Sequence, residues 1–463
     1  MSEFRVEKDS MGEVKVPKNA YYGAQTQRAA DNFPISNLRF SREFISALGL
    51  VKHTAAKVNA ELGLLDQKIT DAICAAAREV IDGTLDEHFV LDIFQTGSGT
   101  SSNMNANEVI SRRANELYNG HDGPIHPNDH VNFGQSSNDV IPTAIRVAAV
   151  KTAKENLLSS LKHLQKTLIE KGKEHSDVIK TGRTHLMDAM PVSIEQEFSG
   201  YARQIELGVK RVESALERMY ELPQGGTAVG TGINTDTKFG SEFAKAMSKE
   251  TGYPFVEAEN HFEAQATVDA PVELSGQLKT IAVSLMKIGN DFRWMNSGPN
   301  GGIGEVQLMA LQPGSSIMPG KVNPVIEESL TMVCAQVIGN DTAITVAGQS
   351  GNFELNVMLP VVAHNLLESI QILANSAKNF ADRSVSGIEI RKENIKQMVG
   401  KNPILVTALN PLIGYDLAAK IAKKAFAEDR AVFDVAKEMT DLSDDELKKA
   451  LDPINMTQGG FTD

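Results

Sequence analysis

Cysteine is nearly missing from this chain: Cys74 and Cys334 are the only two in 463 residues. Two thiols cannot staple a chain this long, nor supply a four-ligand zinc site. Both read as small buried apolar residues in a reducing compartment. Basic charge is also in deficit, with 46 Lys+Arg against 59 Asp+Glu and a formal net charge of −13. That balance excludes nonspecific binding to nucleic acid or to an anionic membrane, both of which need a basic surface. It would also repel a small anionic substrate unless a local site reverses the field. Long apolar runs are absent too: none approaches the ~18 to 20 residues that cross a bilayer. The N-terminus is charged from Glu3 onward and lacks the apolar stretch of a signal peptide. A soluble cytoplasmic protein is expected, with no membrane and no nucleic acid among its partners. Alternating β-branched runs are scarce, which excludes a large sheet.

What is present is ordinary globular material, 41% apolar and 23% charged. At roughly 150 residues per domain, the length suggests about three domains. Residues 1–136 alternate short helical patches, such as Phe44–Leu62, with loops rich in Gly, Asn, Asp and Pro. Residues 137–390 carry long helical periodicity. Leu157, Leu158, Leu161, Leu164, Leu168 and Ile169 fall at i, i+3, i+4 spacing, as do Val268, Val272, Leu274, Leu278, Ile281, Leu285, Ile288 and Phe292. Helices of 20 to 30 residues suit a bundle whose outer faces pack again in an oligomer. Residues 391–463 read as a small helical unit, with Ser443 as the N-cap of a helix whose first turn is acidic. The expected fold class is therefore mainly α, in three domains.

Four segments break the helical rhythm. Thr96-Gly-Ser-Gly-Thr100 and the polar residues after it feed a helix N-terminus. They offer N–H groups and hydroxyls to an anion, or else simply cap the helix. His126-Pro-Asn-Asp-His130 is followed by Gln135-Ser-Ser-Asn-Asp139. Its His-x3-His spacing lies in a proline-containing loop without the helical face that aligns ligands, so no metal is expected. Gly182-Arg-Thr-His-Leu-Met-Asp188 surrounds His185 with Arg183, Thr184 and Asp188, which could orient it. Ala310 to Pro324 is a loop of about 14 residues between two long helices. Its glycines, prolines, paired hydroxyls and Lys321 leave only Ile317 and Met318 to bury, a composition typical of a functional lid. Glu327 and Glu328 follow as the acidic first turn of a helix.

The stretch Gly314-Ser-Ser-Ile-Met-Pro-Gly-Lys-Val-Asn-Pro324 resembles the signature of the fumarase/aspartase superfamily, whose members eliminate from succinyl-type substrates to release fumarate. Gly97-Ser-Gly-Thr100, His126-Pro-Asn-Asp129, Gln135-Ser-Ser-Asn-Asp139 and Gly182-Arg-Thr-His185 sit in the family's order and approximate spacing. So do Tyr21-Tyr-Gly-Ala-Gln-Thr26 near the start and Thr407-Ala-Leu-Asn-Pro-Leu-Ile-Gly-Tyr415 near the end, so the likeness spans nearly the whole chain. The double serine of Gln135-Ser-Ser-Asn138, Gly225-Gly-Thr-Ala-Val-Gly-Thr-Gly232 and Gly351-Asn-Phe-Glu-Leu-Asn-Val357 resemble the class II fumarase branch more than the aspartate ammonia-lyases.

The resemblance implies reversible hydration of fumarate to (S)-malate, with aspartate deamination and a catalytically silent scaffold as the alternatives. It implies a homotetramer whose central helices pool into one larger bundle, with each active site built from three subunits. No metal or organic cofactor is implied. In the dehydration direction a base removes a weakly acidic proton beside a carboxylate, so a dianionic aci-carboxylate must be stabilised by dense donors and a cation. Lys321, Asn323, Asn138, Thr100 and Thr184 supply that chemistry. By resemblance Ser98, Gly99, Ser136, Ser137, Ser316 and Val322 complete the substrate shell. The family assigns the base to the first serine of the doublet, here Ser315, although free pKa values alone would nominate His185. His185 then works through a water on the leaving hydroxyl, with Glu328 as its orienting carboxylate. His126, Pro127, Asn128 and Asp129 match a second dicarboxylate site of the family. The stretch Gly120–Ile125 ahead of them lacks the arginine that some relatives place there.

Overall fold

A computed structural model describes residues 4–119 and 123–460. Gly120, His121 and Asp122, in the stretch ahead of His126, lie outside the described residues. The chain opens with a hairpin, β1 (Phe4–Asp9) and β2 (Gly12–Pro17), followed by α1 (Ala24–Asn32), α2 (Arg42–Glu61), α3 (Gln67–Asp82) and α4 (Thr100–Asn119). Next come α5 (Ser137–Thr152), α6 (Leu158–Glu174) and a second hairpin, β3 (Ile179–Thr184) and β4 (Met187–Ser193). Then follow α7 (Ile194–Met219), α8 (Phe239–Thr251), α9 (His261–Ala266), α10 (Asp269–Asn296), α11 (Val325–Gly348) and α12 (Leu359–Arg383). Short helices close the chain: α13 (Lys392–Lys401), α14 (Asn410–Ile413), α15 (Tyr415–Glu428), α16 (Val432–Met439), α17 (Asp444–Ala450) and α18 (Pro453–Met456). The described strands pair only as two-stranded sheets, in keeping with the shortage of β-branched runs.

Two compact units divide the chain. The first holds 1–159, 208–282 and 333–375. In it α2, α3 and α4 pack on one another around Ile45, Ile73, Val80, Val109 and Ile110, all buried. Asp66 caps α3 with its carboxylate on two N–H groups, and left-handed Gly83 ends it, as the local sequence dictates. The second unit holds 160–207, 283–332 and 376–463. Its core gathers Phe198 and Tyr201 of α7, Phe292 of α10 and Phe380 of α12, with Phe292 ring-to-ring at 5.6, 6.0 and 5.2 Å from the other three. In the small C-terminal helices the Ser443–Glu446 capping box of α17 is formed in both directions.

Four expectations need correction. Ile317 and Met318 are not buried; they are 83% and 49% exposed, because none of the described residues covers the loop. Ile169, in the Leu stripe, is exposed as well. Among the described residues, interrupted apolar stretches still make one helix, Val325–Gly348, long and apolar enough to cross a membrane by length and composition, with mean hydropathy 1.2. Glu327, Glu328 and Asp341 keep it from being an unbroken apolar run. Of the two cysteines, both free, Cys334 is buried and Cys74 only half-buried. Burial pushes both thiols up, to about 12 and about 11.

Candidate active site

The candidate residues fall into two sets, one in each unit. In the first unit, α4 begins at Thr100 and α5 at Ser137, and a hydroxyl relay joins the two N-termini. Ser98 Oγ lies 2.7 Å from Thr100 Oγ1, which lies 2.7 Å from Ser137 Oγ. Gly99 is left-handed at φ 73° and buried, turning the chain into α4. Gly97 is fixed by contact, since a Cβ there would sit 1.8 Å from the carbonyl oxygen of Val357. Ser136 caps α5 in a capping box with Asp139, and Asn138 Nδ2 donates to the carbonyl of Ala228 at 2.7 Å. Hydroxyls, an amide and the positive ends of two helices thus converge, an arrangement that attracts a carboxylate.

Beneath that surface lie two charged groups that the sequence reading passed over. Asp139 is fully buried; one oxygen accepts the N–H of Ser136 at 2.9 Å. The other accepts the N–H groups of Gly225 and Thr227 at 3.1 and 3.0 Å and the amide of Gln224 at 3.2 Å. Burial raises its carboxyl to about 6, against the pull of those donors. Lys52, buried in α2, donates to Asn132 and Gln135 at 2.8 and 3.1 Å, and burial lowers its amine to about 7. The signals existed: Ser-x-x-Asp is a capping box, and a lysine amid Leu50, Val51, Ala55 and Ala56 is out of place on an apolar face.

Pro127 to Val131, also in this unit, form one turn of helix rather than a loop, with His126 as its N-cap. His126 Nδ1 accepts the N–H groups of Asn128 and Asp129 at 3.3 and 3.2 Å. A cleft of about 490 Å³ is lined by His126, Pro127 and Asn128 together with Arg5 and Arg112, both paired with Glu7 at 2.6 and 3.6 Å, and with Asp9 and Glu108. Among the described residues, no group of three or more His, Cys, Asp or Glu is arranged to hold a metal.

In the second unit, Thr184 and His185 stand at the tip of the β3–β4 hairpin. Thr184 pairs with Met187, leaving a two-residue turn of His185 and Leu186 with φ of 56° and 60°. Such turns favour Asn and Gly; a branched or ring side chain there costs about 1 to 2 kcal/mol per residue. The tip from Thr184 to Asp188 is exposed. The turn thus places a histidine, rather than the Asn or Gly that it favours, at a strained and exposed position. No hydrogen bond joins His185 to Glu328, which is half-buried in the first turn of α11. Its neighbour Glu327 is buried and hydrogen-bonded to Ser384, and burial raises its pKa.

The loop ahead of α11 is built around Ser315. Its Oγ accepts the N–H groups of Ile317 at 3.3 Å and Met318 at 3.1 Å. Asn323 Nδ2 donates to the carbonyl of Gly314 at 2.5 Å, and Lys321 Nζ donates to Asn323 Oδ1 at 2.8 Å. Gly314 lies so close to the returning strand that a Cβ would sit 2.1 Å from the carbonyl oxygen of Lys321. Ser315 is half-buried, while Ser316, Lys321 and Val322 are exposed.

With that geometry in hand, likeness to known proteins places the chain. Residues 12–339 match the family described as Lyase, and residues 405–458 match the one described as Fumarase C C-terminus. The chain belongs to this lyase family, in the branch that carries the fumarase C-terminal domain. It is 55% identical over 458 residues to fumarate hydratase class II of Xylella fastidiosa, covering 99% of this chain and 96% of that one. It is 52% identical over 461 residues to fumarate hydratase class II 2 of Pseudomonas aeruginosa, covering 100% of each. The crystal structure of class II fumarase from Schistosoma mansoni superposes with a TM-score of 0.95 at 42% identity, over 98% of this chain and 99% of that one.

Proposed function

We propose that this protein is a class II fumarate hydratase, a carbon–oxygen lyase that interconverts fumarate and (S)-malate through an aci-carboxylate intermediate. Full-length likeness to fumarate hydratases supports the reaction. The observation that carries the catalytic reading is the seating of Ser315. Two N–H groups already point at its Oγ, and such donors stabilise the deprotonated oxygen that a base requires. In malate dehydration Ser315 takes the proton beside one carboxylate. Lys321 and Asn323, with Ser98, Gly99, Thr100, Ser136, Ser137, Asn138, Thr184, Ser316 and Val322, hold the substrate and its developing charge. His185, oriented by Glu328, acts through a water to protonate the departing hydroxyl. The reading requires no cofactor.

The two sets of residues meet across the subunits of a homotetramer, three subunits to each site. The apolar helix α11 supports this, since in the single chain only 39% of its most apolar window is buried. Three domains, 1–136, 137–390 and 391–463, are the division we adopt, with the central one completed by its copies. His126 to Asp129 form a second dicarboxylate site, beside Arg5 and Arg112, which a ligand would have to share with Glu7. Two free thiols suit a cytoplasmic location. The test of the base is Ser315→Ala: kcat for fumarate formation from L-malate falls by orders of magnitude while KM stays within a few-fold. Near-normal turnover would remove Ser315 from the role.

A further inference from the structure

We propose that Glu305 is a positioning residue for His185, acting through the strand that ends at the histidine; this rests on the reading that His185 works on the substrate. Glu305 is fully buried. Its Oε1 accepts a hydrogen bond from Arg183 Nη2 at 2.8 Å, and its Oε2 lies 3.0 Å from Lys180 Nζ. Both cations belong to β3, and Arg183 precedes His185 by two residues. The carboxylate issues from a pinned backbone: the Glu305 N–H donates to Met295 at 2.8 Å, and its carbonyl accepts the N–H of Arg391 at 2.9 Å.

The hairpin needs this anchor. Its register slips between Thr181 and Arg183, so beyond the bulge only Arg183–Asp188 and Thr184–Met187 remain paired before the strained turn. Two pairs cannot hold two residues in the left-handed region unless something outside the hairpin does so. Arg183 is the last residue with a buried partner before the exposed tip, and that partner is Glu305. Lys180 has a second carboxylate, Glu197, at 2.8 and 2.9 Å, so it does not depend on Glu305. Replacing Glu305 by Gln therefore takes from Arg183 its one hydrogen-bonded carboxylate, leaving only the longer-range pull of Asp188 and Glu197, and the end of β3 can relax away from it.

The test is a double-mutant cycle in the full-length protein, following L-malate dehydration. Glu305→Gln should lower kcat about 100-fold with KM within a few-fold, the size of loss that a misplacement of about 1 Å produces. In a His185→Asn background the same change should cost nothing further, because the group that Glu305 positions is gone. Arg183→Lys keeps the charge without the fork and should follow the same pattern, so it decides the matter if Glu305→Gln does not accumulate as folded protein. Equal losses in both backgrounds, or a KM effect with kcat intact, would overturn the proposal alone. Near-normal turnover of His185→Asn would overturn the reading of His185 on which it rests.

Discussion

At the scale of single residues, the site relies on positions where one atom more or less decides the outcome. Gly314→Ala forces a Cβ against the Lys321 carbonyl and the Asn323 N–H at 2.1 and 2.7 Å. It should abolish most turnover while the thermal midpoint stays near that of the parent, since the loop is exposed; malate dehydration and calorimetry on the same sample check this. Asp139 gives a pH signature. Its carboxyl sits at about 6 in the fold, above the ~3.9 of an unfolded chain. Between those values the folded state holds the proton more tightly, so this residue's contribution to stability declines as pH rises from ~4 to ~6. Asp139→Asn lacks the titration, and the midpoint of the wild type should fall relative to the variant's across that window; parallel curves would show that the carboxyl is not raised. Lys321 stood out because its loop has a distinctive composition, whereas Ser315 was assigned only through the resemblance of that loop to the family's signature. Lys52, Asp139 and Glu305 were not singled out, because most of their partners lie far along the chain, up to 125 positions away for Glu305 and Lys180.

At the scale of elements, periodicity carried the reading well. The stripes in 268–292 and 157–168 became the buried faces of long helices, because 3.6-residue spacing reports the burial of a helix face directly. Turn geometry was invisible. Nothing in Thr-His-Leu-Met announces a two-residue hairpin turn, since its residues are not those that such turns prefer. Leu186→Gly therefore has an unusual expected outcome: it relieves a left-handed leucine, so the thermal midpoint holds or rises, whereas Gly at an ordinary strand position lowers it. The cap of α17 behaves conventionally. Ser443→Ala removes a formed capping box and should cost about 1 kcal/mol of local stability, read by hydrogen exchange of the amides in that helix.

At the scale of the whole molecule, the net charge of −13 misleads about the ligand. The proposed substrate is a dianion, and the site proposed for it offers helix N-termini, hydroxyls, amides and Lys321, so local donors rather than the overall charge decide the ligand. Assembly is the other property that a single chain understates. If each site draws Ser315 from one subunit and Thr100 from another, mixed tetramers of Ser315→Ala and Thr100→Val recover activity. At equal mixing the recovery is roughly a quarter of the parent's, the chance that two independently drawn subunits each supply the intact residue. No recovery would place the whole site in one chain. Which reaction the protein runs is decided by offering the purified protein L-malate and L-aspartate separately and following the ultraviolet absorbance of fumarate. Rapid fumarate formation from L-malate and none from L-aspartate is the predicted result. Fumarate from L-aspartate alone, or from neither substrate, would contradict it.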